Sequence, residues 1–230
     1  MMRKRTALLI TCVLTLLLCM SRALAISFYS HGDRQKPRIA ITVDDCFDKS
    51  IMRGFLDTAR QHRAKLSFFV IGRTMQGDDD EALFYRILDE GHEIGNHSNN
   101  HKNMESWSHQ KIEQELAAFQ KRLDRVLGFR YQPNLLRFPF GIGCTAPGLE
   151  NYNRAAEQLG YQNIIHWDVV LEEPEQMLQH IQNGSIVLLH ANKKDLKVFR
   201  QIVGTLAARY ELVTVSELLH LPPVEYDRYG

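Results

Sequence analysis

From position 38 onward the chain alternates between two periods of apolar residues. The short β-branched or apolar runs RIAITV, KLSFFVI, HEIGN, NLLRFP, YQNIIHWDVV, SIVLLH and ELVTV have the length and composition of strands. Between them lie amphipathic stretches of helical length: KSIMRGFLDTARQHR, DDEALFYRILDEG, HQKIEQELAAFQKRLDRVLG, LENYNRAAEQLG, EPEQMLQHIQNG and KKDLKVFRQIVGTLAARY. In the third of these, Ile112, Leu116, Phe119, Leu123 and Leu127 recur every three or four residues and mark one apolar face. Thr214 and Glu217 have capping-box spacing, which predicts a short last helix over SELLHL. Strand then helix, repeated about seven times, predicts one α/β domain with a mostly parallel sheet. An open doubly wound sheet and a closed barrel both satisfy that order. No G-x-G-x-x-G follows the first strand, so a dinucleotide fold has no positive support.

The first 25 residues read differently. Arg3, Lys4 and Arg5 precede the apolar run ALLITCVLTLLLCM, and ALA follows at Ala23 to Ala25, the order of a secretory signal peptide cleaved after Ala25. Left uncleaved, the same run would serve as a membrane anchor. The reading is therefore a signal at 1–25, a polar lead-in at 26–36, a catalytic domain at 37–222 and a tail at 223–230, in an extracytoplasmic protein of the periplasm, cell wall or exterior. The chain has 28 Lys and Arg and 27 Asp and Glu. Four of the bases and none of the acids fall in the first 25 residues, which leaves a net charge of −3 for the remainder. With no Lys/Arg-rich run, nucleic acid is not an expected partner. Cys12 and Cys19 leave with the signal; Cys46 and Cys144 remain, too few for a disulfide scaffold.

In parallel α/β folds, ligand chemistry gathers at the carboxyl ends of the strands. The first strand delivers Asp44 and Asp45 there, the third is followed by His97 and His101, the fourth by Arg137 and the turn Pro139-Phe140-Gly141, and the sixth by His190. Taken singly, the aspartates read as turn or cap residues, His190 as a hydrogen-bonded structural histidine and Arg137 as a surface charge. Their convergence on one rim favours chemistry. Two imidazoles four residues apart can face the same way across one helical turn. With Asp45 they form a three-ligand set that leaves positions open, the arrangement of a catalytic metal site. A metal there lowers the pKa of bound water from ~15.7 towards ~7, so Asp44 suffices as base. Arg137 can pair with Asp44, His190 can protonate a leaving group, and the turn at Phe140 can aim a backbone N–H at an oxyanion. In the same region His92 reads as a strand-edge residue, Glu93 as its outward neighbour, and Asn96, Asn99 and Asn100 as loop-shaping hydrogen-bonders. Two His and one carboxylate also form the facial triad of non-haem iron oxygenases, but the α/β order, Asp44 and His190 argue against that class.

These residues resemble the polysaccharide deacetylase family, carbohydrate esterases with the chitooligosaccharide deacetylase homology domain, over nearly all of the chain after residue 25. TVDD resembles the first motif, which implies Asp44 as base and Asp45 as metal ligand. HSNNH resembles the H-[ST]-x-x-H motif, whose histidines are ligands, here His97 and His101. RFPFG resembles R-x-P-x-G, implying that Arg137 serves the base and the Phe140 N–H the oxyanion, and IVLLH resembles the motif whose His190 is the general acid. The resemblance implies a distorted (β/α) barrel of about seven parallel strands. It also implies a divalent cofactor, Zn²⁺ or alternatively Co²⁺ or Ni²⁺, and N-deacetylation of a peptidoglycan or chitin-like glycan. An O-acetyl esterase acting on xylan and a non-catalytic glycan-binding relative are the competing readings. Two departures stand out. Cys46 replaces the Gly that usually follows the Asp pair, which raises a Cys46–Cys144 disulfide as a hypothesis. The Asp-Trp pair that usually supports the acid is missing from HWDVVLEEPEQ, leaving Glu173 or Asp168 as the expected support for His190.

Overall fold

Residues 38–45, the run RIAITVDD, form the longest strand, and their backbone organises the sheet. The computed structural model describes residues 26–142 and 149–228; the expected signal segment and Cys144 lie outside them. In chain order the strands are β1 (Ser27–Tyr29), β2 (Arg38–Asp45), β3 (Leu66–Val70), β4 (Glu93–Asn96), β5 (Leu135–Leu136), β6 (Asn163–Ile165), β7 (Ile186–His190) and β8 (Glu211–Val213). The helices are α1 (Lys49–Gln61), α2 (Asp78–Asp89), α3 (His109–Leu127), α4 (Leu149–Gln158), α5 (Pro174–His180), α6 (Lys193–Arg209) and α7 (Val215–Leu219). All strand pairs are parallel, in the order β1-β6-β5-β4-β3-β2-β7, with β8 added to the first residues of β2. Beyond β6, Val169 bridges Val187 of β7, which closes the curl. The architecture is the distorted (β/α) barrel that the motif resemblance implies, one of the two forms the element order allows.

Every predicted strand and helix is present; the first strand runs on through Asp44 and Asp45, and most other elements are shorter than predicted. NLLRFP contributes only Leu135–Leu136 and YQNIIHWDVV only Asn163–Ile165, because the residues after each turn away to build the rim. The lead-in is not merely polar linker: Ser27–Tyr29 pairs with Asn163–Ile165 as an additional strand. The capping box is complete, with Thr214 accepting from Glu217 N–H and Glu217 from Thr214 N–H. Helix α3 starts at Ser108, whose side chain accepts from Lys111 N–H, and stops at left-handed Gly128. Its expected apolar face is buried, but so are Glu115 and Gln120.

A parallel sheet covered by helices on its outer side and filled on its inner side leaves no outward face. That overturns the reading of Glu93. Its carboxylate is buried, accepting from the Ser67 hydroxyl at 2.6 Å and Ser216 N–H at 3.1 Å. His92 is likewise 5% exposed, at the opposite end of the strands from the rim. Leu66 N–H donates to its Nδ1 at 2.9 Å, which fixes the neutral tautomer with the proton on Nε2.

Burial pushes the His92 pKa from 6.5 down to about 4, against the attraction of Glu90. An unfolded His92 protonates first, so this residue costs stability as pH falls from 6.5 to 4, by about 3 kcal/mol at the lower end. His92→Asn, whose side-chain oxygen can accept from Leu66 N–H, is expected to lose that much less than wild type in urea unfolding compared at pH 7 and pH 4.

Candidate active site

Strand β2 delivers Asp44 and Asp45 side by side; both carboxylates approach His97, but only Asp44 pairs with Arg137 and only Asp45 approaches His101. Asp44 is buried. Its Oδ1 accepts from Arg137 Nη1 at 2.6 Å, and its Oδ2 lies 3.6 Å from His97 Nε2. Asp45 has a left-handed backbone, φ 71°, which turns its carboxylate toward the loop after β4. Asp45 Oδ1 is 3.7 Å from His97 Nε2 and 3.4 Å from His101 Nε2.

The two histidines do not meet across a helical turn. The segment from His97 to His101 is a loop, with Ser98 and His101 both left-handed at φ 63° and 54°. Side chains that cap the loop's own backbone hold that shape. Ser98 N–H donates to Asn96 Oδ1 at 2.8 Å, and His101 N–H donates to Ser98 Oγ at 3.0 Å. From α3, Glu115 accepts from both the backbone N–H and the side-chain amide of Asn100, the residue immediately before His101. On the other side, Gly72 N–H and Arg73 N–H donate to the carbonyls of Ser98 and Asn99. A Cβ on Gly72 would crowd Asn99 Oδ1 at 2.6 Å and the backbone Cα atoms of Phe119 and Asn99 at 3.0 and 3.2 Å, so glycine favours this approach.

One ligand atom from each of Asp45, His97 and His101 lies within 4.8 Å of the others. Two features fit this set to a divalent ion. Asp45 Oδ1 is buried without any hydrogen-bond partner, an orphan that a cation would satisfy. His97 Nδ1 is 2.8 Å from the Arg137 carbonyl, so it carries the proton and leaves Nε2 as a free lone pair. Burial also holds the His97 pKa below 6.5, keeping the imidazole neutral. Nitrogen and oxygen donors of this kind suit Zn²⁺, Co²⁺ or Ni²⁺.

Arg137 is 1% exposed, and every guanidinium nitrogen is used. Nη1 also donates to Thr42 Oγ1 at 2.8 Å, Nε to the Ile165 carbonyl at 3.0 Å and Nη2 to the His166 carbonyl at 3.1 Å. The reading of Arg137 as a surface charge is excluded. Phe140 takes φ 63° in the turn after β5, and its ring packs edge-on against His101 with centroids 4.7 Å apart. His190 ends β7 directly opposite Asp44 in the parallel register.

The expected support for His190 is corrected by the structure. Asp168 is occupied elsewhere, accepting from Arg34 at 2.7 Å, Ser185 Oγ at 3.0 Å and Ile186 N–H at 2.8 Å. Glu173 is the N-cap position of α5 and makes no capping bond. The carboxylate at the His190 ring is Asp195, with Oδ2 3.2 Å from Nδ1. Cys46 is a buried free thiol with φ 58°, in the left-handed region that favours glycine. Its hypothesised partner Cys144 lies outside the described residues. Glu115 and Asp195 were missed at the sequence level. Glu115 left a signal, an acid flanked by Ile112, Leu116 and Phe119 on a face that is otherwise apolar.

Glu115→Gln presents a donor where Asn100 already supplies two. It is expected to weaken Zn²⁺ binding about 10- to 100-fold in calorimetric titration, with unfolding changed far less than for a core truncation. Unchanged affinity would remove Glu115 from the support of the site.

The profile of the family described as polysaccharide deacetylase matches residues 31–164. A peptidoglycan-N-acetylglucosamine deacetylase of Bacillus cereus is 33% identical over 196 residues, covering 79% of this chain and 87% of the relative. A peptidoglycan-N-acetylglucosamine deacetylase of Listeria monocytogenes is 31% identical across 79% of this chain, which spans only 38% of that relative's length. A solved structure of a CE4 family pseudoenzyme from Bacillus anthracis matches with TM-score 0.70 at 21% identity, over 85% of this chain and 69% of its own. That last likeness is one of fold. By profile and by identity, the chain belongs to the polysaccharide deacetylase family.

Proposed function

We propose that the chain is a metal-dependent hydrolase that removes N-acetyl groups from an N-acetylhexosamine-containing glycan, with peptidoglycan the favoured polymer. The observation that carries the reading is the pairing of a base and an acid across two adjacent strands. Asp44 and His190 stand opposite each other on β2 and β7, beside the Asp45, His97 and His101 set. Binding alone requires neither residue. The names of the Bacillus cereus and Listeria monocytogenes relatives support the substrate class.

A divalent ion held by Asp45, His97 and His101 would supply Lewis acidity and make a bound water easier to deprotonate. Arg137 fixes one oxygen of Asp44, and the other oxygen, on the ligand side, receives a proton from the attacking water. In this reading the Phe140 N–H donates to the developing oxyanion, and His190 gives its proton to the departing amine. Phe47 and Phe140 are 50% and 62% exposed close to Asp45 and His101, and offer apolar faces on which sugar rings can rest. A depression of about 870 Å³ opens beside Phe47 and Arg73, room for further sugar units. Export through the first 25 residues would bring the enzyme to such a polymer.

The test is acetate release from N-acetylated peptidoglycan and chitooligosaccharides by the Zn²⁺-loaded chain. Asp44→Asn is expected to lower kcat about 10²- to 10⁴-fold, and chelation followed by Zn²⁺ to abolish and restore activity. Equal release by wild type and variant would remove Asp44 as base. Wild type that binds these glycans but releases no acetate would make the chain a non-catalytic relative.

A further inference from the structure

His190 is the last residue of β7, and only Ala191 and the N-cap Asn192 separate it from α6. The Asn192 side chain accepts from Asp195 N–H at 2.8 Å, which locks the first turn of the helix. That turn lays a single oxygen of Asp195 on two donors of His190, the backbone N–H at 2.7 Å and ring Nδ1 at 3.2 Å. Both the position and the ring orientation of His190 are therefore set by one carboxylate five residues downstream. With Nδ1 committed to Asp195, Nε2 is the ring atom left to face a substrate.

We propose that Asp195 is the positioning residue for the general acid, replacing the Asp-Trp pair that this chain lacks. The inference rests on the deacetylase reading. In that reaction the scissile C–N bond breaks, its electron pair goes to the amine nitrogen, and the Nε2 proton joins that nitrogen. Acetic acid leaves with the oxygen and the second proton of the attacking water, whose first proton went to Asp44, and ionises to acetate in solvent. His190 is left neutral with Nδ1–H still on Asp195, and the site resets when Asp44 gives its proton to solvent and His190 Nε2 takes one up. Asp195 thus fixes the tautomer that exposes Nε2 and stabilises the imidazolium before transfer.

The electrostatics agree. The Asp195 hydrogen bond raises the His190 pKa above 6.5 against the opposing effect of burial, with Asp44 and Asp45 facing the ring from β2. Burial pushes the Asp195 carboxyl up, but the His190 donors outweigh it and leave the pKa below its ordinary value. Lys194, on the same helix, is tied to Glu172.

Asp195→Asn in the Zn²⁺-loaded full chain keeps an oxygen for the His190 N–H and removes the charge. On an N-acetyl glycan, kcat is expected to fall about 10- to 100-fold with KM unchanged, and the alkaline limb of the pH profile to move to lower pH. On a nitrophenyl acetate ester, whose leaving group needs no proton, the rate is expected to stay within about threefold. An NMR titration of the His190 ring in the same loaded proteins should show a lower pKa in the variant. Equal losses on both substrates, or an unchanged His190 titration, would overturn the proposal. Should Asp195→Asn not fold, Asp195→Ser, which can also cap the His190 N–H, is carried through the same measurements. A wild type that cleaves the ester but no glycan would sink the deacetylase reading instead, and the titration then decides Asp195 on its own.

Discussion

The guanidinium of Arg137 is the interaction on which both the barrel and its rim depend. A buried cation is tolerable only when its donors are satisfied and an anion is near, and Arg137 meets both demands with groups from separate strands. It reaches Thr42 and Asp44 on β2 and the carbonyls of Ile165 and His166 at the end of β6, and it lies over the Phe69 ring of β3 at 4.0 Å. Its own N–H donates to the Asn96 carbonyl of β4, and its carbonyl receives His97 Nδ1. Thr42 passes the connection to β7 by donating to the Val187 carbonyl at 2.9 Å. A lysine, with one nitrogen, could not serve this set of acceptors. The residue that holds Asp44 is thus also the residue that ties the strands together and fixes the tautomer of His97.

Around that fixed centre the backbone is strained. Asp45, Cys46, Ser98, His101 and Phe140 all adopt the left-handed conformation that side chains disfavour, and all stand at or beside the metal-ligand set. Each costs of order 1 kcal/mol or more. The cost is offset by bonds from rigid elements: Glu115 of α3 on Asn100, Asn96 on Ser98, and the Asp45 carbonyl on Ile71 N–H at 3.3 Å. The arrangement of Asp45, His97 and His101 is therefore set by the protein, and an ion that binds there would need no rearrangement.

The strands and helices were legible because burial on both sheet faces writes continuous apolar runs, and helices write a three- to four-residue period. The convergence of Asp44, Asp45, His97, His101, Arg137 and His190 was legible for a topological reason: parallel strands bring all their carboxyl ends to one rim. Three things were not legible. The four-residue spacing of His97 and His101 suggests one helical turn within their loop, and spacing does not reveal the side-chain caps that favour a left-handed path. Glu93 was given an outward face that a closed parallel sheet does not possess. For the support of His190 the sequence offers Glu173, which lies near the place of the family's Asp-Trp pair, and Asp168 as an alternative, whereas Asp195 reaches His190 only through the geometry of a helix start.

The most direct test of this account is the equilibrium urea unfolding of the metal-free Arg137→Met variant against wild type. If the buried pair holds the strands together, leaving Asp44 without its cation should lower the unfolding free energy by about 3–5 kcal/mol. A variant within about 0.5 kcal/mol of wild type, the range of an ordinary surface substitution, would contradict it.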